Sequence, residues 1–227
     1  MMEPIFITGT GTDVGKTIAS IIVINALEAD YWKPVQAGVA EGTDSQFVQS
    51  MLMNSKSIVH PETYTLKLAA SPHIAAREEG RLIDLNRIMQ HYYQLSGTNA
   101  RLVIEGAGGL LVPLNENEHI IDLIFHLKAR VILVSRNYLG SINHSLLTAS
   151  VCRQKGLDVL GWIFNDEFMQ YQDDISRWSG YPVIGQIPNM LEITREKLEQ
   201  QSKLFRNNLI KMLETGVHDE KRITKNI

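Results

Sequence analysis

A single cysteine, Cys152, in 227 residues excludes an intrachain disulfide and any thiolate metal cluster. It fits a reducing compartment, and the plain expectation for it is core filling. Long apolar runs are missing too. One run, from Ile18 to Ile24, is interrupted by Ser20 and stops at Asn25, far short of the roughly 18 to 20 residues a bilayer crossing needs. The opening Met1-Met2-Glu3-Pro4 carries no basic cluster of the kind that begins a signal peptide, so a cytoplasmic protein without membrane attachment is expected. Basic blocks are absent as well. Lys and Arg number 22 against 25 Asp and Glu, a formal charge of −3, which leaves no footprint for a phosphate backbone, and no nucleic-acid partner is expected. The seven histidines are scattered without zinc-ligand spacing. No proline-rich or serine-rich linker marks a domain boundary.

What is present is an alternation. Short apolar runs at 5–7, 31–35, 102–104, 131–134, 160–164 and 183–184 read as strands covered on both faces. Segments of helical period at 16–29, 44–53, 85–95, 121–127, 143–155, 171–179 and 194–213 separate them. Leu85, Ile88, Met89, Tyr92 and Leu95 form one apolar stripe, which is the signature of a core-facing helix. The pattern predicts an α/β fold with a mostly parallel sheet flanked by helices, in a single domain over residues 1–213. Residues 214–227 are polar and charged and are expected to form a C-terminal tail.

The first strand runs into Gly9-Thr10-Gly11-Thr12-Asp13-Val14-Gly15-Lys16-Thr17 and then straight into a helical segment. This is the setting of a phosphate-binding loop. Glycines let backbone N–H groups turn toward phosphate oxygens, and the helix N-terminus adds its positive dipole end. Lys16 would bring a point charge to the β- and γ-phosphates, and the Thr17 hydroxyl would ligate Mg²⁺. The loop is a variant, because Thr10 stands where the general P-loop pattern has glycine. A dinucleotide fingerprint fails on spacing, with one residue too many before Gly15.

A magnesium nucleotide needs further hard ligands. Glu105 follows an apolar strand and opens the loop Gly106-Ala107-Gly108-Gly109, although a lone acid at a strand end also serves as a helix cap. Asp44 stands at the start of a helix, where an acid also suits the macrodipole. Lys33 precedes Pro34, which cannot continue a central ladder, so the strand should end there and place Lys33 in the ligand crevice. A second cation beside Lys16 suits phosphoryl transfer, where catalysis is largely positioning and electrostatics. A solvated surface lysine is the alternative.

With these pieces in view, the chain resembles the dethiobiotin synthetase family, ATP-dependent ligases that close a ureido ring on a vicinal diamine. The resemblance rests on the stretch from Thr8 to Thr17, on Tyr31-Trp32-Lys33-Pro34-Val35-Gln36, Thr43-Asp44, Ser71-Pro72-His73, Glu105-Gly106-Ala107-Gly108-Gly109-Leu110, Leu139-Gly140-Ser141-Ile142-Asn143-His144, Gly161-Trp162-Ile163-Phe164-Asn165 and Gly185-Gln186-Ile187-Pro188. It implies a P-loop NTPase-type fold with ATP and Mg²⁺ as cofactors, and 7,8-diaminononanoate with CO₂ or bicarbonate as substrates. By the resemblance, Lys33 and Lys16 are the catalytic cations. Thr17, Asp44 and Glu105 hold the metal. Asp13, Val14, Gly15, Lys16, Thr17 and Ile18 wrap the phosphates, and Glu105, Gly106, Ala107 and Gly108 close over the nucleotide. Asn165 and Asp166 read the adenine edge, with Pro188, Asn189 and Met190 as the other wall. The family is a homodimer with its substrate at the interface, so Gly140, Ser141 and Asn143 would hold the substrate carboxylate from the partner chain. On the residues alone, Ser141 or Asn143 would cap a helix and Asn165 would be a turn residue.

One departure bears on substrate. Ala37 stands where the family usually has serine or threonine, so a hydroxyl contact is lost. A rival reading is a regulatory P-loop ATPase switch of the partitioning type. Such proteins usually carry an additional early lysine in the loop, and residues 9–14 contain none.

Overall fold

A computed structural model of the chain describes residues 2–95 and 101–215. Seven parallel strands form the central sheet: β1 Ile5–Gly9, β2 Asp30–Trp32, β4 Val59–His60, β6 Leu102–Gly109, β7 Arg130–Arg136, β8 Val159–Asn165 and β9 Val183–Ile187. They lie in the order β4-β2-β6-β1-β7-β8-β9, with β1 at the centre. A small second sheet pairs β3 Val35–Ala37 with β5 Tyr64–Leu66, also in parallel.

The side chains alternate across this sheet as the two-residue period of a strand requires. Phe6, Trp32, Ile104, Leu133, Trp162 and Phe164 belong to the core on one face. Ile5, Ile7, Tyr31, Val103, Ile132 and Ile163 belong to the core on the other. The first face is covered by helices α3 Pro72–Glu78, α4 Leu85–Leu95, α5 Ile120–Leu127, α6 Ser141–Lys155 and α7 Gln172–Ser179. The second is covered by α1 Lys16–Leu27, α2 Asp44–Met51 and α8 Arg195–Thr215. The stripe on α4 does face the core, with Leu85, Ile88, Met89 and Tyr92 buried. Cys152 is fully buried on α6, and burial pushes its thiol up to about 12, in keeping with a core-filling role.

Several local expectations are corrected. The run 31–35 is not one strand: Pro34 separates β2 from β3, and its carbonyl accepts from the N–H groups of Thr63 and Tyr64 at 3.0 Å each. Strands β4 and β5 and helix α3 escape the sequence reading because they are two, three and seven residues long, too short for a period to register. Strand β6 does not end at Ile104. It continues through Glu105 to Gly109, where Gly9 pairs with Gly109 beyond a bulge. A side chain on Gly109 would stand 3.0 Å from the Gly9 carbonyl, so glycine permits this close pairing. The boundary at 213 falls inside α8, which runs to Thr215 because Arg130 donates to the terminal carbonyls of Met212 and Leu213 at 3.2 and 2.9 Å. The rest of the expected tail, 216–227, lies outside the described residues. Among the described residues no helix is long and apolar enough to cross a membrane.

Candidate active site

The C-terminal ends of β1, β2 and β6 meet at one crevice, where an open parallel sheet binds its ligands. Strand parity decides what they present. Tyr31 pairs with Val103, so Tyr31 and Lys33 project on the same face as Val103 and Glu105. Helix α1 covers that face and α2 begins beside it. The resulting cavity of about 870 Å³ is bounded by the phosphate loop, Lys33, Ala37, Asp44, Glu105 and Asn165.

Between β1 and α1 the loop takes the conformation its glycines allow. Gly15 sits at φ +95, and a Cβ there would collide with the Asn165 amide. Asp13, at φ 55, also adopts the left-handed region that Asp tolerates better than most residues. The Lys16 ammonium bonds back to the Gly11 carbonyl at 2.9 Å. Burial lowers the Lys16 pKa, more than Glu105 and Asp44 restore it.

Asp44 is the first residue of α2, and the helix start is fixed independently of it. Thr43 caps the helix by accepting from Gln46 N, and Gln46 Oε1 accepts in turn from Thr43 N. The Gln36 amide oxygen accepts from Asp44 N at 3.2 Å, which ties the start of α2 to β3. The Asp44 carboxylate is thereby free to face the crevice. It forms an ion pair with the Lys33 ammonium, which also lies 3.1 Å from Glu105 Oε1.

The Thr17 hydroxyl has one proton to give and lies 2.9 Å from Asp44 Oδ1 and 3.0 Å from Glu105 Oε1. Three hard oxygens thus converge with more acceptor capacity than the hydroxyl can satisfy. That donor set fits Mg²⁺, which takes one or two carboxylates, a hydroxyl and substrate phosphates. Glu105 Oε2 is engaged separately, by the Ser20 hydroxyl at 2.9 Å and the Tyr31 phenol at 3.1 Å. Burial, then the Glu105 charge, raise the Tyr31 pKa well above its ordinary value, so the phenol stays protonated.

The other expected residues divide. Asn165 lines the cavity and donates to the Val14 carbonyl at 3.2 Å. Asp13, Gly15, Thr17, Ile18, Ala107 and Gly108 also line it. Val14, Gly106, Asp166, Pro188, Asn189 and Met190 do not. A Cβ on Gly106 would meet the Phe6 ring at 2.6 Å, which makes that glycine a packing requirement. The Asp166 carboxylate turns toward Arg136, 3.4 Å away.

Gly140, Ser141 and Asn143 open α6, away from this cavity. Neither Ser141 nor Asn143 caps the helix; the N-cap is Gly140 at φ 101, without a side-chain bond. Ser141 is fully buried and belongs to a closed ring: Tyr138 N–H bonds its oxygen at 3.3 Å, it meets the Tyr171 phenol at 2.6 Å, and that phenol donates to the Tyr138 carbonyl at 2.7 Å. The sequence assigns no site role to Ser20, Tyr31 or Gln36, although Tyr31 and Gln36 bound the stretch that carries Lys33. Register and helix parity place Ser20 and Tyr31 against Glu105.

A strand, a glycine-rich loop ending in Lys16-Thr17 and a helix at the centre of a parallel sheet define a P-loop nucleotide-binding protein. Solved structures share the fold. A ParA family ATPase from Chlorobium tepidum superposes with a TM-score of 0.55 at 13% identity over 95% of this chain and 98% of that one. The septum site-determining protein MinD complexed with Mg-ADP from Pyrococcus horikoshii gives 0.52 at 12% identity over the whole of both chains. At such identity the likeness is one of fold alone, so it lends nothing specific to the switch reading. The family profile described as an AAA domain matches residues 3–197.

Sequence relatives are far more similar. The ATP-dependent dethiobiotin synthetase BioD of Cytophaga hutchinsonii is 48% identical over 91% of this chain and 98% of its own length. Those of Christiangramia forsetii and Agrobacterium fabrum are 41% and 40% identical over 92% and 86% of this chain. The chain belongs to the ATP-dependent dethiobiotin synthetases, ligases of biotin biosynthesis.

Proposed function

We propose that the chain, through the end of α8, acts as one ligase domain that uses ATP to close the ureido ring of dethiobiotin on 7,8-diaminononanoate, taking its carbon from CO₂ or bicarbonate. The observation that carries this reading is the Lys33 ammonium held between Asp44 and Glu105, across one cavity from the phosphate loop.

The loop from Asp13 to Ile18 would receive the phosphates, and Lys16 would exchange its bond to Gly11 for one to a phosphate oxygen. Thr17, Asp44 and Glu105 would hold Mg²⁺, which when bound neutralises charge on the β- and γ-phosphates. One amine of the diamine adds to CO₂ to give a carbamate anion, and Lys33 would orient it. A carbamate oxygen then attacks the γ-phosphorus in line, yielding ADP and a carbamic–phosphoric anhydride while Lys16 and Lys33 stabilise the charge. The neighbouring amine attacks the carbonyl carbon, expels phosphate and closes the five-membered ring, favoured because both groups sit on one bound molecule.

Asn165 would pair with the adenine edge from the cavity side, with Asp166, Pro188, Asn189 and Met190 beside it. The substrate carboxylate would lie at the interface of a homodimer, against the α6 N-terminus of the partner. Exposed apolar side chains flank that turn, with Leu139 88% and Leu147 58% exposed, as a surface meant for burial would have. Because the Ser141 hydroxyl is committed internally, Gly140 and Asn143 would make the contact while Ser141 orders the turn. Ala37 presents only a methyl group to the cavity, a drier substrate wall than a hydroxyl would make.

The test is ADP release by the purified chain with Mg·ATP and bicarbonate, with and without the diamine. Turnover that needs the diamine and the CO₂ source supports the ligase, whereas diamine-independent hydrolysis stimulated by a protein or DNA partner favours the switch.

A further inference from the structure

Glu105 has two oxygens in two different settings. Oε1 faces Thr17 at 3.0 Å and Lys33 at 3.1 Å, on the cavity side. Oε2 faces inward, where it accepts from Ser20 at 2.9 Å and Tyr31 at 3.1 Å. Ser20 and Tyr31 have no exposed surface, Glu105 has 1%, and neither hydroxyl lines the cavity. The arrangement follows from topology: Tyr31 pairs with Val103 on β6, two residues before Glu105 on the same face, and Ser20 lies on the buried side of α1 over that face.

The last torsion of a glutamate is soft and two-fold, so a carboxylate held at one end only can swing between orientations. Two neutral hydroxyls on one oxygen remove that freedom. They also satisfy the inner oxygen without neutralising the carboxylate, leaving its charge available at the outer one.

We propose that the Tyr31 and Ser20 hydroxyls form a two-point clamp that fixes the inner oxygen of Glu105 and so presents the outer oxygen to the magnesium of the bound nucleotide. Both are positioning residues, acting through Glu105 without touching nucleotide. The inference rests on Glu105 as a metal-holding carboxylate and adds the parts that aim it. Outer partners of this kind typically change metal affinity by about 10-fold to 100-fold when removed.

The experiment is calorimetric binding of the β,γ-imido analogue of ATP, in Mg²⁺ and in EDTA, to wild type, Tyr31→Phe, Ser20→Ala and the double variant. Tyr31→Phe keeps the aromatic packing and deletes one oxygen, and thermal melts confirm that each variant is folded. The expected result is unchanged affinity in EDTA, with the gain conferred by Mg²⁺ reduced roughly tenfold in each single variant and further in the double. The clamp is overturned if the Mg²⁺-to-EDTA ratio stays at the wild-type value in all three, or if affinity falls equally with and without metal, which is the mark of a packing role. Glu105→Gln is the internal reference. If it leaves the ratio unaltered, the assignment of Glu105 to the metal fails and takes the clamp with it, and if it alone lowers the ratio, only the clamp fails.

Discussion

The Lys33 ammonium, just past the end of β2, lies 3.1 Å from Glu105 Oε1 within β6 and is paired on its other side with Asp44 at the start of α2. Burial disfavours the charged lysine, but the carboxylates of Glu105 and Asp44 outweigh it and the Lys33 pKa is raised. Burial likewise acts to raise Asp44, and Lys33 outweighs it, so the Asp44 pKa is lowered. The stabilisation from these shifts is therefore complete between the ordinary values of 3.8 for aspartate and 10.5 for lysine. It is lost as pH falls through the depressed Asp44 value or rises through the raised Lys33 value. Lys33 is thus a permanent cation at working pH, suited to charge stabilisation and unsuited to general-base catalysis.

Lys33→Ala should lower turnover by about 10²-fold to 10³-fold, the usual cost of removing one preorganised group facing transition-state charge. Steady-state assays with a melting control check this. Near-normal turnover in a folded variant removes Lys33 from the mechanism.

Lys16 behaves in the opposite sense. Burial lowers its pKa, and a phosphate placed beside it must raise that pKa again. Nucleotide binding at alkaline pH should therefore take up protons, and affinity should fall as pH rises through the Lys16 titration. Calorimetry in two buffers of different ionisation enthalpy reads the uptake directly. Lys16→Met should abolish the linkage together with most of the affinity.

Gly15→Ala should destabilise the chain by about 1 to 3 kcal/mol, the range for a non-glycine residue forced into a left-handed conformation. Its φ is +95, and the added methyl would drive into the Asn165 amide. Denaturant melts give the stability. Nucleotide titration should show affinity lost beyond what the melt explains, because the loop and the Asn165 wall shift together.

Asn165→Ala should weaken ATP binding roughly tenfold, as expected when one good polar partner worth about 1.4 kcal/mol is lost. GTP binding should change little, so base selectivity shrinks. Equal losses for both nucleotides would instead point to the Asn165–Val14 bond as a brace of the loop.

How far the sequence discloses this site depends on how each residue reaches it. The phosphate loop is legible because its chemistry is local: strand, glycines, Lys16, Thr17 and helix are contiguous. Lys33 is legible because Pro34 ends its strand, and Glu105 because a glycine-rich stretch follows it directly after an apolar run, even though β6 continues through those glycines. Asp44 is legible only through the resemblance, since an acid at a helix start has an ordinary electrostatic reason to be there. Ser20 looks like core filler in sequence, and Tyr31, though inside the stretch that carries Lys33, has no evident role there. Their contacts with Glu105 come from the register of β2 on β6 and from which side of α1 faces the sheet, and neither is encoded in a local pattern. The alternating strands survive as expected in the central sheet, whereas β4, β5 and α3 are set by tertiary pairing across a few residues.

The most direct test of phosphoryl transfer through a carbamate is the fate of oxygen. With ¹⁸O-labelled CO₂, a single turnover over Lys33 and the phosphate loop should place one labelled oxygen in the released phosphate, because the carbamate oxygen that attacks the γ-phosphorus leaves with it. Phosphate that carries no oxygen from CO₂ and takes its new oxygen from water would contradict the mechanism.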